Sequence, residues 1–433
     1  MTIISAKWLR SLIDEHKKGK RAGVYSVCSS HPVVLKSSLE FGKKARYPFL
    51  IEATCNQVNQ QGGYTGLTPE GFVAQIENML SKDEHEKPQV LLGGDHLGPY
   101  PWRSKPEQEA LQKGVQLVRD CVLAGYRKIH LDASFHLSGD DPQKPVEIQV
   151  AAERTAQLLQ AAEEAANLAG TEPVYVIGSE VPAPGGEKRE VQEVEVTSLD
   201  ALKNTIEETQ KAVCSLGFEE AWQRVIAVVT QPGVEFHNQD VNLYDRDEAR
   251  DLSISIEKYP QLVFEAHSTD YQTPASLKNL VKDHFLILKV GPELTFAYRE
   301  GVFALEQIEL ALAPLYSSWK LSNISQTIEE VMVNIPQAWQ EYYEGSNEKQ
   351  AFLRKFSLLD RIRYYWNYDE VKQAVDRLLA NLDSCSIPLS LISQYFPGRY
   401  QKVRSGVIGN SPESLLADKI QDVLRKYHQA VSR

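Results

Sequence analysis

Cysteine is scarce in this chain. Its five thiols among 433 residues, Cys28, Cys55, Cys121, Cys214 and Cys385, include no CxxC pair. Neither a disulfide framework nor a cysteine zinc knuckle is indicated, and a reducing cytoplasm fits best. Long apolar runs are missing too. The first twenty residues carry Lys7, Arg10, Lys17, Lys18 and Lys20 around stretches that never reach signal-peptide or membrane-span length, so neither secretion nor membrane insertion is expected. Basic residues are outnumbered: 47 Lys and Arg against 58 Asp and Glu leave a formal charge of −11. That balance argues against nucleic acid, whose phosphates need a basic surface, but not against small anionic metabolites. Two phosphate-cradling motifs are also absent, since no GxGxxG follows the first strand and no GxxxxGK[ST] loop occurs. An open dinucleotide-binding sheet and a P-loop nucleotide site are therefore disfavoured.

What is present has the balance of a globular protein, with 42% apolar and 24% charged residues. Short β-branched runs alternate with segments of helical periodicity, the signature of parallel strands joined by crossover helices. Strands are predicted near Gly23 to Cys28, Phe49 to Ala53, Gln89 to Leu92, Lys128 to Asp132, Val174 to Ile177, Val225 to Val229, Gln261 to Glu265 and Phe285 to Lys289. Eight is the number that closes a (β/α)8 barrel, and the length exceeds the roughly 250 residues of a lone barrel. After about Leu321 only helical segments follow. The α/β reading is thus a TIM barrel over residues 1–321 and a helical C-terminal domain over 322–433.

In such a barrel the chemistry belongs at the strand C-termini. Asp95 and His96, adjacent as they leave the third strand, can offer one metal ligand and one carboxylate to a substrate. With Glu180 and His267 they form a His and carboxylate set suited to zinc or another divalent ion. Asp132 can orient a ligand, bind a substrate hydroxyl or cap the next segment. Of its neighbours His130 and His136, one is expected to face outward. Glu187, after the Gly185–Gly186 turn, is a candidate base, against the plain reading of an exposed glutamate. Ser268, Thr269, Gly291 and Thr295 stand where barrels hold phosphate with backbone amides, or where residues simply cap helices. Glu52 and Gln231, at the ends of the second and sixth strands, complete the candidate substrate-binding set. Farther on, the string DRIRYYW, residues 360–366, reads as the packing of an amphipathic helix or as a contact surface for a partner.

The strings SVCSSHP, IEATCNQVNQQGGYTG, LGGDHLGP, KIHLDAS, YVIGSEVPAPGGE, QPGVEF, EAHSTDYQT and LKVGPELTFA, followed by DRIRYYW and LISQYFP, together resemble the GatZ/KbaZ family, the large subunit of class II tagatose-bisphosphate aldolases. The resemblance implies a class II aldolase barrel in which zinc polarises a ketose carbonyl. It implies Asp95 as the acid/base at the C4 hydroxyl and His96 and His267 as metal ligands. It also implies Glu180 near the metal and Glu187 as a mobile proton-transfer residue. The aldolase histidine expected after the sixth strand has no clear counterpart in VVTQPGVEFHNQD, where Gln231, Glu235 or His237 would have to substitute. Three functions follow as expectations: a subunit acting on ketohexose phosphates with a smaller catalytic aldolase partner, an autonomous metal-dependent ketose 4-epimerase, or a purely structural partner. A homo-oligomer is compatible with each, and a kinase is not expected.

Overall fold

A computed structural model of the chain describes residues 2–20, 22–79, 87–141, 143–178 and 194–432. Eight parallel strands pair in sequence order and close on themselves: β1 (Val24–Val27), β2 (Phe49–Thr54), β3 (Gln89–Leu97), β4 (Lys128–Leu131), β5 (Val174–Gly178), β6 (Val225–Val229), β7 (Val263–Ala266) and β8 (Phe285–Val290). The ring closes where Ile287 to Val290 of β8 face Val24 to Val27 of β1. A two-residue strand, Thr2–Ile3, extends the sheet beside β3.

Local signals set the outer helices. Thr68, Ser198 and Thr273 cap the helices Pro69–Asn78, Leu199–Ser215 and Pro274–Lys282 by accepting from the third residue beyond them, and proline at the first helical position supplies the fixed φ at two of these starts. The helix Ile148–Ala169 buries seven alanines, whose small side chains let neighbouring helices approach closely. A short antiparallel ladder, Glu235–Phe236 with Val241–Asn242, follows β6 and was not legible from the sequence.

Residues two apart along each strand share a face, so the barrel interior is built in layers. At its N-terminal end Val24, Leu50, Leu91, Val263 and Ile287 join Leu9, Leu12 and Ile13 of the helix Lys7–Lys17 in one apolar cluster. One step up, the same alternation brings in Ser26, Glu52, Lys128, Glu265 and Lys289, all buried. A further step reaches Asp95, His130 and His267 at the C-terminal mouth.

The C-terminal residues form six α-helices, from Ile324–Asn334 to Pro412–Val431. They share the main hydrophobic cluster with the barrel's outer helices. Tyr427, near the end of the chain, reaches Thr269 beside β7 and donates to its carbonyl at 2.6 Å. Among the described residues no helix is long and apolar enough to cross a membrane.

Beneath the barrel, buried His16 meets His284, Nε2 to Nδ1, at 2.9 Å. Burial, then the neighbouring His284, pull the His16 pKa down to about 4, so the folded state keeps it neutral while the unfolded chain protonates near the ordinary value of 6.5. Its contribution is complete above about 6.5 and is lost as pH falls toward about 4. The melting temperature of the parent should therefore fall more steeply over that interval than that of His16→Gln. Parallel profiles would show that this pair does not drive acid sensitivity.

Candidate metal centre

The third strand ends in Gly93, Gly94, Asp95 and His96, and its glycines are dictated by contact. A Cβ on Gly93 would lie 2.9 Å from the Lys128 carbonyl oxygen and 3.0 Å from Glu52 Cγ. The register against β4 shifts between Gly94 and Leu97, and His96 takes a positive φ of 49°. This break in alternation, a bulge in effect, turns two consecutive side chains toward the mouth, where a regular strand would send one outward. Gly98 completes the turn, with room for no Cβ because the Asp132 carbonyl oxygen would stand 1.9 Å from it.

Four buried side chains converge there. Asp95, His96, His130 and His267 each offer a ligand atom, and these atoms lie within 4.8 Å of one another. His96 Nδ1 pairs with Asp132 Oδ2 at 2.8 Å, which leaves Nε2 facing Asp95 Oδ2 at 3.8 Å. Asp132 is itself held by the backbone N–H and hydroxyl of Ser134, at 3.1 and 2.7 Å. His130 Nδ1 lies 2.9 Å from Asp95 Oδ1 and also accepts from the His96 backbone N–H at 3.1 Å. The opposite nitrogen, Nε2, is buried without a hydrogen-bond partner. His267 Nε2 is 2.9 Å from Glu265 Oε1 and 3.9 Å from Asp95 Oδ1. Imidazoles turned by carboxylates, one with an orphaned nitrogen, make a donor set that fits a divalent cation.

Beneath them runs a charged lattice. Glu52 Oε2 accepts from Lys128 Nζ at 2.8 Å and from Lys289 Nζ at 2.7 Å, and Ser26 donates to its other oxygen at 2.6 Å. Lys128 also reaches Glu265 at 2.6 Å, and Lys289 reaches Asp95 at 3.0 Å. Glu52, Asp95 and Glu265 thus face two lysines, and Asp132 pairs with His96 instead, so the four carboxylates exceed the two lysines by two charges. Burial opposes ionisation of Asp95, yet Lys289, His96, His267 and His130 hold it well below the usual carboxylate range. Burial lowers His130 to about 4 and also lowers His267, which keeps both imidazoles neutral as ligands must be. For His96, burial is outweighed by Asp95 and Asp132, which raise it.

The predicted residues sort unevenly. Asp95, His96 and His267 come together and Asp132 stands behind His96, whereas Glu180 and Glu187 lie outside the described residues. Ser268 lines the pocket above the cluster. Thr269 is buried, donates to the Lys289 carbonyl at 2.5 Å and packs on Tyr427. The Gly291 N–H donates to Asp270 Oδ1 at 3.0 Å. Glu52 sits in the charged lattice under the site, and Gln231 shapes its own turn by accepting from the backbone N–H groups of Gly233 and Val234, both at 2.9 Å. His136 is the outward-facing member of its pair and bonds the Lys144 carbonyl.

Sequence reasoning missed His130, Lys128 and Lys289. The available signal was the two-residue step along β4 and β8, which puts Lys128 with His130, and Lys289 with Ile287, on the inward face. His130, on the fourth strand, brings a third imidazole into the cluster. His237 instead meets Asn242 Oδ1 at 2.9 Å in the antiparallel ladder.

Of the two readings of the helical string, the structure agrees with packing. DRIRYYW is not an exposed contact surface: Asp360, Arg361, Ile362, Tyr365 and Trp366 are buried, with a 3-10 turn over Arg361–Tyr364. Arg361 lies over the rings of Tyr342 and Tyr364, 3.6 and 4.5 Å from their centroids. The segment forms one wall of the pocket over the cluster, through Arg363, Tyr364, Trp366 and Asn367.

The family model for D-tagatose-1,6-bisphosphate aldolase subunit GatZ/KbaZ-like proteins matches residues 9–432. The chain is 46% identical over 421 residues to the D-tagatose-1,6-bisphosphate aldolase subunit GatZ of Escherichia coli (strain SMS-3-5 / SECEC), covering 97% of this chain and 99% of that protein. The same protein of Escherichia coli O7:K1 (strain IAI39 / ExPEC) gives the same figures. Among solved structures, a probable tagatose 6 phosphate kinase from Sinorhizobium meliloti 1021 is similar, at 40% identity and a TM-score of 0.84, covering 94% of this chain and all of that one.

The charged lattice makes a stability prediction. Lys128→Met keeps the volume but strips a cation from two fully buried carboxylates, and should destabilise the fold by about 3–5 kcal/mol. Denaturant unfolding measures this directly, and a change below about 1 kcal/mol would mean the lattice is not held by charge.

Proposed function

We propose, because the chain belongs to the D-tagatose-1,6-bisphosphate aldolase subunit GatZ/KbaZ-like family, that it acts on ketohexose phosphates in tagatose and galactitol-type catabolism as an aldolase subunit with its own divalent-metal site. The convergence of Asp95, His96, His130 and His267 within 4.8 Å carries this reading. A set rich in neutral imidazole suits zinc. When bound, zinc would act as a Lewis acid toward the ketose carbonyl.

The chain's own groups take the remaining work. Asp95, ionised beside Lys289, accepts the proton of the C4 hydroxyl as the C3–C4 bond breaks and its electrons move toward the C2 carbonyl, leaving an aldehyde and an enediolate. Asp132 is a positioning residue that keeps the His96 ring turned inward. Glu180 as a further ligand and Glu187 as a second proton carrier are proposed from the sequence resemblance alone.

A second reading is an autonomous ketose 4-epimerase, in which the cleaved aldehyde rotates and re-adds to invert C4. It is favoured by one observation: the cluster, its orienting carboxylates and the pocket wall all come from this single chain. A purely structural partner would need none of them. The relatives named as subunits support a smaller catalytic aldolase as partner, and a nucleotide-dependent kinase finds no phosphate loop in the sequence.

The purified chain should hold about one metal ion, and its turnover of a phosphorylated ketose, alone or with an added aldolase subunit, should be chelator-sensitive, with tagatose 1,6-bisphosphate, fructose 6-phosphate and free fructose followed by NMR. Asp95→Asn should keep the metal and lose about 10²- to 10⁴-fold in turnover. Unchanged turnover by verified metal-free protein would contradict the metal reading. A C4 epimer without accumulated triose favours the epimerase, and turnover that needs an added aldolase subunit favours the subunit reading.

A further inference from the structure

In a barrel of this kind a phosphate is commonly held by backbone N–H groups after the seventh and eighth strands, at a helix N-terminus. Here a side chain takes that place. Asp270 Oδ1 accepts from the N–H groups of Gly291 and Glu293, at 3.0 and 2.8 Å, the amides at the start of the helix Pro292–Leu312.

The loop that carries Asp270 is tied along its length. Glu293 Oε2 accepts from the Tyr271 N–H at 2.7 Å, so the loop after β7 and the helix after β8 hold each other reciprocally. Thr269 donates to the Lys289 carbonyl, Tyr427 donates to the Thr269 carbonyl at 2.6 Å, and the Tyr271 hydroxyl donates to the Leu358 carbonyl at 2.7 Å. Ser268 and Tyr271 have positive φ values of 53° and 62°, a backbone conformation that such residues keep only where their surroundings impose it. These ties and bends fix the carboxylate on the two amides, and a phosphate would have to displace it.

Asp270 is almost fully buried, yet it lines the pocket over the metal cluster. Its Oδ1 takes both amide bonds, and its Oδ2 makes no hydrogen bond with any described residue. Lys426, whose charge acts on it, lies 2.5 Å from Glu293 Oε1 instead. Burial, and then Glu293, raise the carboxyl to about 7. A buried carboxylate on a cavity wall with one oxygen unbonded lacks a donor that the chain does not provide. A ligand hydroxyl provides one. A phosphate instead brings negative charge to a carboxylate whose neighbouring amides are already taken.

We propose that Asp270 binds a hydroxyl of the ketose and excludes phosphate from this wall, so that the end of the substrate lodged there is unphosphorylated. The substrate class narrows accordingly to ketoses with one free end, a monophosphate before a 1,6-bisphosphate. That the hydroxyl belongs to a ketose rests on the functional reading above; that this wall takes a hydroxyl and refuses phosphate rests on Asp270 alone.

The test titrates the full chain by calorimetry with fructose 6-phosphate and fructose 1,6-bisphosphate, which differ only by one phosphate, at constant ionic strength. The parent should bind the monophosphate about tenfold tighter or more. Asp270→Ser removes the carboxylate and frees the Gly291 and Glu293 amides. It should weaken the monophosphate by about tenfold, the loss of one charge-assisted hydrogen bond, and tighten the bisphosphate, with metal content unchanged. Equal or tighter binding of the bisphosphate by the parent, binding of neither sugar at millimolar concentration, or a preference in Asp270→Ser within twofold of the parent's overturns the proposal. If Asp270→Ser fails to fold, Asp270→Asn, which keeps an oxygen for the amides but not the charge, should lower the preference, and an unchanged preference overturns the proposal equally. An Asp270-dependent preference in a chain that turns over no ketose, alone or with an added aldolase subunit, would defeat the functional reading and leave this one standing.

Discussion

Four carboxylates share the upper interior of the barrel with two lysines, and nearly every feature of the site answers to that imbalance. Buried charge is tolerated only when it is paired and hydrogen-bonded. Glu52 and Glu265 meet this condition through Lys128 and Lys289, with no exposed surface on either carboxylate. Asp95 is left with Lys289 and the imidazoles above, and Asp132 with His96. Their surplus charge and the bare His130 nitrogen describe one deficiency, which a divalent cation would remove. The lattice also fixes geometry, because each imidazole is turned by a carboxylate that is itself held in place.

The same economy of space explains the helical region. A barrel mouth lined with charge needs a cover that excludes water without adding apolar bulk over the reacting groups. The 3-10 turn over Arg361–Tyr364 meets this with arginines laid on tyrosine rings, so that the wall is polar yet packed. Tyr427 reaching Thr269 ties the last helix to the seventh strand on the other side. The barrel and the helical region therefore cooperate at the site, and disturbance of either would reach it.

The fold was legible because parallel strands buried on both faces read as continuous β-branched runs; all eight lie within a few residues of their predicted positions, and β6 matches at both ends. Asp95, His96 and His267 were legible because they leave strands toward the active face. His130 was harder. It shares its strand end with His136 and Asp132, and only the inward step from Lys128 separates a ligand from a surface histidine. Lys128 and Lys289 were harder still: the two-residue step turns them inward, but a lysine within a strand reads as an edge or a solvated face, and nothing local reveals that glutamates on other strands will neutralise it. DRIRYYW left two readings open, packing and contact surface, because composition cannot distinguish aromatic and arginine residues at an interface from the same residues packed over a pocket.

The central claim is that this chain holds a metal ion through three imidazoles drawn from the third, fourth and seventh strands. X-ray absorption at the metal edge of the purified, metal-loaded protein addresses it most directly, since imidazole rings give a scattering signature that carboxylates and water lack. The account predicts three imidazole nitrogens with the remaining donors oxygen, falling to two in His130→Gln. A parent spectrum with two or fewer imidazoles, or one unchanged by His130→Gln, would contradict it.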